Sequence, residues 1–153
     1  MKESGKVRIA LESVQDGDTI VHSYEGEWFR KERSIYVRYS ELAVPGDPES
    51  GEVRTLVRYR PGELSIVRRG AIESEQLFMP GLRRDGYYRS PLTTFPLETE
   101  ATQLELHAAE EDAGDGLPSR LPFTLEWQYV LHVSDQMSGR FHIRLHIQGE
   151  MNS

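Results

Sequence analysis

Arg68 is the residue of this chain whose position most strongly suggests chemistry. It alternates in step with Leu64 and Ile66 in a strand-like run, so its guanidinium is predicted to point to the same side as their apolar side chains. A buried guanidinium has to be paired or hydrogen-bonded, and it therefore marks either an internal salt bridge or an anion-binding site. An Arg beside Gly70 that turns outward, or that meets an internal Glu, is the commoner outcome.

Arg58, Phe78 and Tyr88 complete the predicted ligand-binding set with Arg68. If Arg58 and Tyr88 converge with Arg68, they would supply N–H and O–H donors for a carboxylate or phosphate group. Phe78 would then form an apolar wall beside the polar group. The four residues together predict a site for a small amphipathic or anionic molecule.

Histidines offer a second kind of chemistry, because an i, i+4 pair of His can chelate zinc on a helix. His142 and His146 have this spacing, but the apolar alternation around them indicates a strand, in which four residues span about 13 Å. Pairing of the flanking runs would place His132 opposite His142 on the outer face, which is closer to chelating geometry. Since the sequence supplies no third ligand, we expect solvated histidines and no metal site.

Motifs for catalysis are not found in the sequence. No Gly-x-Ser-x-Gly nucleophile elbow occurs, and the absence of cysteine excludes a thiol nucleophile. The acidic run that contains Glu110, Glu111, Asp112 and Asp115 lacks the spacing of an EF-hand. We therefore expect a protein that is not an enzyme and that carries no cofactor.

Composition narrows the class of protein further. The chain has 153 residues, of which 37% are apolar and 28% are charged, and no stretch is long and apolar enough to predict a membrane span. A net charge of -7 argues against a nucleic-acid partner. The charged N-terminal segment does not resemble a secretory signal, and a chain without cysteine suits a reducing compartment. These features predict a cytoplasmic protein.

The elements that must position the candidate residues are strands. Runs of period-two alternation separated by Gly, Pro and Asp turns extend along the chain, and the clearest pair is Phe123–Val133 with Phe141–Ile147. We predict one all-β domain over residues 1–153, a single antiparallel up-and-down β-barrel of about eight to ten strands. Mobile loops are expected at 43–51 and 110–119, with frayed ends at Met1–Gly5 and Met151–Ser153.

The region from Leu64 to Thr99 resembles a known family. The residues that carry the resemblance are Leu64-Ser65-Ile66-Val67-Arg68-Arg69-Gly70-Ala71-Ile72, Leu77-Phe78, Gly81, Tyr88-Arg89-Ser90-Pro91 and Leu97-Glu98-Thr99. Their order and spacing resemble the core pattern of the uncharacterised bacterial YwiB-like family. The resemblance implies a calycin-type, lipocalin-like β-barrel of unknown function in an intracellular bacterial setting. The chain departs from the family pattern at Leu92–Pro96, which stands in place of a simpler turn containing glycine.

Two functions from different classes fit these observations. The first is a non-enzymatic barrel that binds a small amphipathic or anionic molecule in its interior or at its mouth. The second is a solid barrel that acts as a protein-interaction or regulatory module, for example as a homodimer. The segment from Arg54 to Arg89 favours the second function, because it holds eight Arg and several Tyr, residue types that are enriched at protein contacts. Arg can equally be the general surface cation of this chain, which has few Lys.

Overall fold

The structure of the protein is a computed structural model that describes residues 4–108, 116–118 and 120–150. These residues form ten β-strands and one short 3₁₀ helix, Pro48–Ser50. The strands are β1 (Ser4–Gln15), β2 (Asp18–Lys31), β3 (Ser34–Leu42), β4 (Glu52–Arg60), β5 (Glu63–Gly70), β6 (Glu73–Phe78), β7 (Arg83–Arg89), β8 (Thr94–Ala108), β9 (Phe123–Val133) and β10 (Gln136–Gly149). In this part of the chain, no helix has the length and hydropathy that a bilayer crossing requires.

Each strand pairs antiparallel with its neighbour in the sequence, and β1 pairs with β10 to close the sheet into a barrel. The closing register runs from Val7 opposite Gly149 to Gln15 opposite Phe141. Closure satisfies the backbone groups that two free edge strands would otherwise expose. The structure thus confirms the predicted all-β, up-and-down barrel.

Alternate residues of each strand point into the barrel, as the period-two pattern predicts. In β9, Phe123, Leu125 and Trp127 are buried, whereas the residues between them are only partly covered. Leu64 and Leu145 are at most 1% exposed and belong to the same core. Burying a large apolar side chain contributes roughly 1.5–3 kcal/mol, so this interior set is the main source of stability for the closed sheet.

The two ends of the barrel differ. At one end Leu117 is fully buried against the core, and Arg30 Nη1 donates to the carbonyl oxygens of Leu117 at 3.5 Å and Pro118 at 3.4 Å. We call this the closed end. The opposite end, which we call the mouth, carries the connections at 16–17, 43–51, 71–72, 90–93 and 134–135.

Close to the mouth, β2 and β3 separate. Their pairing extends from Lys31 opposite Ser34 only as far as Gly26 opposite Tyr39. A Cβ at Gly26 would lie 2.3 Å from the carbonyl oxygen of Arg38, so glycine permits a close backbone approach at this point. Beyond it, residues 18–25 of β2 continue to pair with β1. The separation leaves a lateral opening in the barrel wall, which we call the seam.

The structure describes some of the predicted loops and ends. The 43–51 connection, expected to be a mobile loop, contains the 3₁₀ helix, and the Asp47 side chain accepts a hydrogen bond from the Glu49 N–H at 3.0 Å. The mobility of this loop stays a prediction. Ser4 and Gly5, expected to fray, belong to β1 because they pair with β2. Residues 1–3, 110–115, 119 and 151–153 lie outside the described residues, so fraying and mobility there stay predictions.

The departure from the family pattern at Leu92–Pro96 has a simple structural form. The Ser90 N–H donates to the Thr93 carbonyl oxygen at 2.8 Å, which closes a tight turn between β7 and β8. Pro96 already lies within β8, opposite Tyr87. Thr94, Phe95 and Pro96 therefore belong to strand β8, and only Leu92 and Thr93 of this segment lie in the connection.

Candidate functional site

Arg68 points into the barrel near the mouth, where Glu41 of β3 neutralises it. Its Nη2 lies 2.9 Å from Glu41 Oε1, and the two side chains are 31% and 11% exposed. The buried Thr55 donates its hydroxyl to the other carboxylate oxygen of Glu41 at 2.7 Å. The structure therefore shows the internal salt bridge, which is one of the two outcomes that the sequence left open for an inward Arg.

Tyrosine side chains surround this ion pair. Tyr24 stacks on Tyr39 with 4.7 Å between ring centroids. Burial, and then the nearby Glu41 carboxylate, raise the pKa of both phenols, and that of Tyr39 lies well above its usual range. Burial also raises the pKa of Tyr129 to about 12. All three phenols stay protonated at neutral pH and can therefore donate hydrogen bonds.

The seam connects this polar group to solvent. A cleft of about 380 Å³ opens between the separated parts of β2 and β3. Its walls include Tyr24, Ser40, Glu41, Leu42 and Pro45. Because two members of the polar group, Tyr24 and Glu41, form part of this wall, a molecule in the cleft would contact the ion pair directly.

Three of the four predicted ligand-binding residues lie on the interior face. Arg68 is opposite Ser74, which is opposite Tyr88, so Tyr88 and Arg68 share one row two strands apart, or about 10 Å. Phe78 is opposite Leu64, four residues along β5 from Arg68, and is fully buried at 1% exposure. Phe78 therefore belongs to the core below the mouth, and Tyr88 lies at its rim.

Arg58 is the exception. It was predicted to converge with Arg68 and Tyr88, and the structure corrects this prediction. Its neighbours Val57 and Tyr59 are buried in the interior, so alternation turns Arg58 to the outer face. There its Nε donates to Ser34 Oγ at 3.3 Å, and its guanidinium lies 6.0 Å from the Tyr36 ring. The alternation of apolar and polar residues in β4 already indicates that the Arg58 side chain points outward.

Sequence reasoning missed Glu41, although a signal for it exists. In β3, Glu41 follows the alternation of Ile35, Val37 and Tyr39, all of which are buried. A charged residue at the end of an apolar face predicts an internal partner. A Glu and an Arg with inward parity at the same end of the barrel could therefore have been paired from the sequence.

The barrel interior also holds a donor without a partner. Among the described residues, Trp127 Nε1 is buried and has no hydrogen-bond acceptor. A buried donor left unpaired costs roughly 1–3 kcal/mol. Trp127 packs against Phe78, with 5.9 Å between ring centroids. The Trp127 ring is thus packed in the core although its N–H group has no acceptor there.

A second polar cluster lies on the outer face of β8, β9 and β10, with Glu126 at its centre. One carboxylate oxygen of Glu126 accepts from His107 Nε2 at 2.8 Å, and the other accepts from His142 Nε2 and from Arg144 Nε. Burial alone would raise the pKa of Glu126, but the hydrogen bonds from His142, His107 and Arg144 lower it to about 2. The ligand atoms of Glu105, His107 and Glu126 lie within 4.8 Å of one another, so these three residues could hold a metal ion.

The predicted pairing of His132 with His142 is corrected by the register of the last hairpin. Val133 is opposite Gln136, so the turn is the two-residue Ser134–Asp135 and not a loop over 135–139. Both turn residues have positive φ, at 53° and 61°, as a tight hairpin turn requires. The shorter turn shifts the register, and His142 lies opposite Gln128, nearer to Glu126.

Comparisons with known proteins agree with this fold. The family model "Domain of unknown function (DUF1934)" matches residues 6–145. The chain belongs to this family. It is similar to the "Uncharacterized beta-barrel protein YwiB" of Bacillus subtilis (strain 168), with 22% identity and 97% of each chain covered. It also resembles the "Crystal structure of ywiB protein from Bacillus subtilis", with a TM-score of 0.75, 21% identity, and 99% and 96% of the two chains covered. The predicted family is confirmed, and its function is unknown.

Removal of Arg68 should destabilise this DUF1934 barrel more than removal of an exposed Arg. Arg68→Met leaves the largely covered Glu41 carboxylate without its cation, and we expect a loss of roughly 1–3 kcal/mol. The matched control is Arg38→Met, because Arg38 pairs with Glu27 at 2.6 Å on the exposed surface and should cost about 0–1 kcal/mol. Urea unfolding measures both, and Glu41→Gln added to Arg68→Met should restore part of the loss. Equal losses for the two single variants would contradict an internal ion pair.

Stability should depend on pH through Glu126. Since its pKa falls from 4.5 to about 2 on folding, the stabilisation is complete above pH 4.5 and declines as the pH falls toward 2. Urea unfolding of Glu126→Gln and of the unmodified protein should therefore differ most at neutral pH and converge in acid. Glu27→Gln, in an exposed pair, serves as control. A difference between Glu126→Gln and the unmodified protein that stays constant down to about pH 3 would exclude this carboxylate as the cause.

Proposed function

We propose that this protein binds a small amphipathic molecule at the mouth of its barrel without catalysing a reaction on it. The observation that carries the proposal is the inward Arg68–Glu41 ion pair, which borders an open cleft at the seam. The polar head of the ligand takes hydrogen bonds from Arg68 and the tyrosine hydroxyls. Its apolar part lies against the stacked rings of Tyr24 and Tyr39.

Charge favours a weakly anionic head group. A guanidinium carries five N–H donors, so Arg68 can donate to a ligand carboxylate while it remains bonded to Glu41. The carboxylate of Glu41 cancels the positive charge locally, and the whole chain has a net charge of -7. Recognition therefore rests on short-range hydrogen bonds and not on long-range attraction, which disfavours polyanions.

Space favours the mouth over the depth of the barrel. Ligand sites commonly measure about 300–1,000 Å³, and the seam cleft of about 380 Å³ falls within this range. Below the mouth, large side chains such as Trp28, Phe78 and Trp127 occupy the interior. A bound molecule therefore places only its end inside the barrel.

Several broader expectations belong to the same proposal. Calycin-type, lipocalin-like barrels lie near the boundary between a filled core and a ligand cavity, and a site at the mouth suits such a barrel. A chain without cysteine suits the reducing cytoplasm of a bacterium. Its acidic charge makes nucleic acid an unfavourable partner.

An amphipathic carboxylate should reveal the site directly. Dansylundecanoate, a fluorescent long-chain carboxylate, should bind with one saturable phase that changes little with salt. Arg68→Met should weaken binding roughly tenfold, because it removes a charge-assisted hydrogen bond. Arg58→Met removes the same charge from the outer face and should leave the affinity unchanged. The absence of saturable binding to the unmodified protein, or equal affinity in the two variants, would refute the proposal.

A second candidate function is self-association, and one surface favours it. Ile20, Val21 and Met137 are 56%, 58% and 58% exposed, and they lie near the tips of the β1–β2 and β9–β10 hairpins. The tips adjoin, since a Cβ on Gly139 would lie 3.0 Å from Gln15 Nε2. Ile20 and Val21 are consecutive in β2 and point to opposite faces, so each tip offers separate exposed apolar side chains of the kind found at protein contacts.

Sedimentation analysis tests this second function. A homodimer formed through the hairpin tips should dissociate to monomers in Met137→Glu, because the substitution would bury a charge at the contact. Leu92→Glu, which changes an apolar residue that is 96% exposed on another turn, is the control and should leave the dimer intact. A monomer at all concentrations of the unmodified protein would rule out the homodimer.

A further inference from the structure

The geometry points to a zinc-binding site on the outer face of the barrel, formed by Glu105, His107 and Glu126. The site is separate from the mouth and does not depend on the function proposed there. It uses the cluster that the sequence could not predict, since its residues come from two strands joined by the connection 109–122.

Strand geometry brings the three ligands together. Glu105 and His107 are two residues apart in β8, so their side chains leave the same face of the sheet. Glu126 of β9 is directly opposite Glu105, which sets the third ligand beside the first two. A hydrogen-bonded sheet holds these positions with little freedom, and such a scaffold is favourable for a metal site.

The distances suit a tetrahedral ion. His107 Nε2 lies 2.8 Å from Glu126 Oε1 and 3.4 Å from Glu105 Oε2. Ligand atoms around tetrahedral zinc, with bonds of about 2.0–2.1 Å, lie about 3.3 Å apart. The Glu105 and His107 side chains are 44% and 51% exposed, so they can adjust and give the ion a path of entry.

Partners outside the ligand set orient Glu126. Its second oxygen accepts hydrogen bonds from His142 Nε2 and, at 2.9 Å, from Arg144 Nε. Such outer contacts commonly hold a ligating carboxylate in place. Arg144 is in turn bonded to Glu12 at 2.9 Å, which offsets its positive charge near the ion. The carboxylates of Glu12, Glu105 and Glu126 thus outnumber the guanidinium, and the cluster favours a cation.

Ligand chemistry favours zinc over the hard cations. Calcium and magnesium prefer sites made wholly of oxygen, whereas an imidazole nitrogen with carboxylates suits zinc and its neighbours in the transition series. Three protein ligands leave the fourth position to water.

Isothermal titration of the full chain with zinc chloride tests the site. We expect one equivalent of zinc to bind, with no competition from calcium or magnesium. His107→Gln and Glu105→Gln should each weaken binding at least about tenfold, and His142→Gln should weaken it less, because it acts through Glu126. His146→Gln is the matched control: His146 lies on the same face, hydrogen-bonded to Thr124 at 3.0 Å, and its loss should leave the affinity unchanged.

Two further measurements make the result decisive. Circular dichroism establishes that each variant folds. If a Glu126 variant does not fold, the variants at the exposed positions 105 and 107 still test the site. Cobalt(II) in place of zinc should give the visible absorption of a four-coordinate ion, and this signal should disappear in His107→Gln. The absence of saturable zinc binding, or equal affinity in His107→Gln and His146→Gln, would overturn the proposal. Dansylundecanoate binding should be the same in His107→Gln, so failure of one site is distinguishable from failure of the other.

Discussion

The pairing of β1 with β10 is the constraint on which the rest of the structure depends. Once the sheet is closed, every side chain of a strand has one of two destinations, the interior or the outer face, and alternation assigns it. Apolar residues at interior positions stabilise the closed form. A charged residue at such a position must find a partner inside, and Arg68 finds Glu41.

The mouth shows how a departure from regular pairing opens a cleft. The β2–β3 ladder ends at Gly26, where the two backbones approach closely, and the strands part toward the loop 43–51. The seam exposes one side of a polar group that a complete wall would have buried. Its ion pair is therefore held by the interior and yet reachable from solvent, a combination that a filled barrel core does not offer. The function proposed for this scaffold rests on this local geometry and not on the fold itself.

The outer face follows a different rule. Ion pairs such as Arg38 with Glu27 are exposed and contribute little to stability. Glu126 differs because neighbouring strands direct two imidazoles and a guanidinium at one carboxylate that is only 14% exposed. The register of the strands brings these three donors to the same carboxylate. The same hydrogen bonds that keep Glu126 ionised also orient it toward Glu105 and His107.

The sequence by itself determined the all-β class, the up-and-down barrel, the core face and the inward direction of Arg68, because alternation and turn chemistry are local properties of the backbone. The alternation of β4 also indicates that Arg58 points to the outer face, although Arg58 was predicted to converge with Arg68. Tertiary structure decided that Arg68 meets Glu41, 27 residues away, and that His107 meets Glu126, 19 residues away. These contacts depend on the register between strands, which is set by turn lengths, bulges and the closure of the barrel. A two-residue turn at Ser134–Asp135 in place of a longer loop was enough to separate His132 from His142.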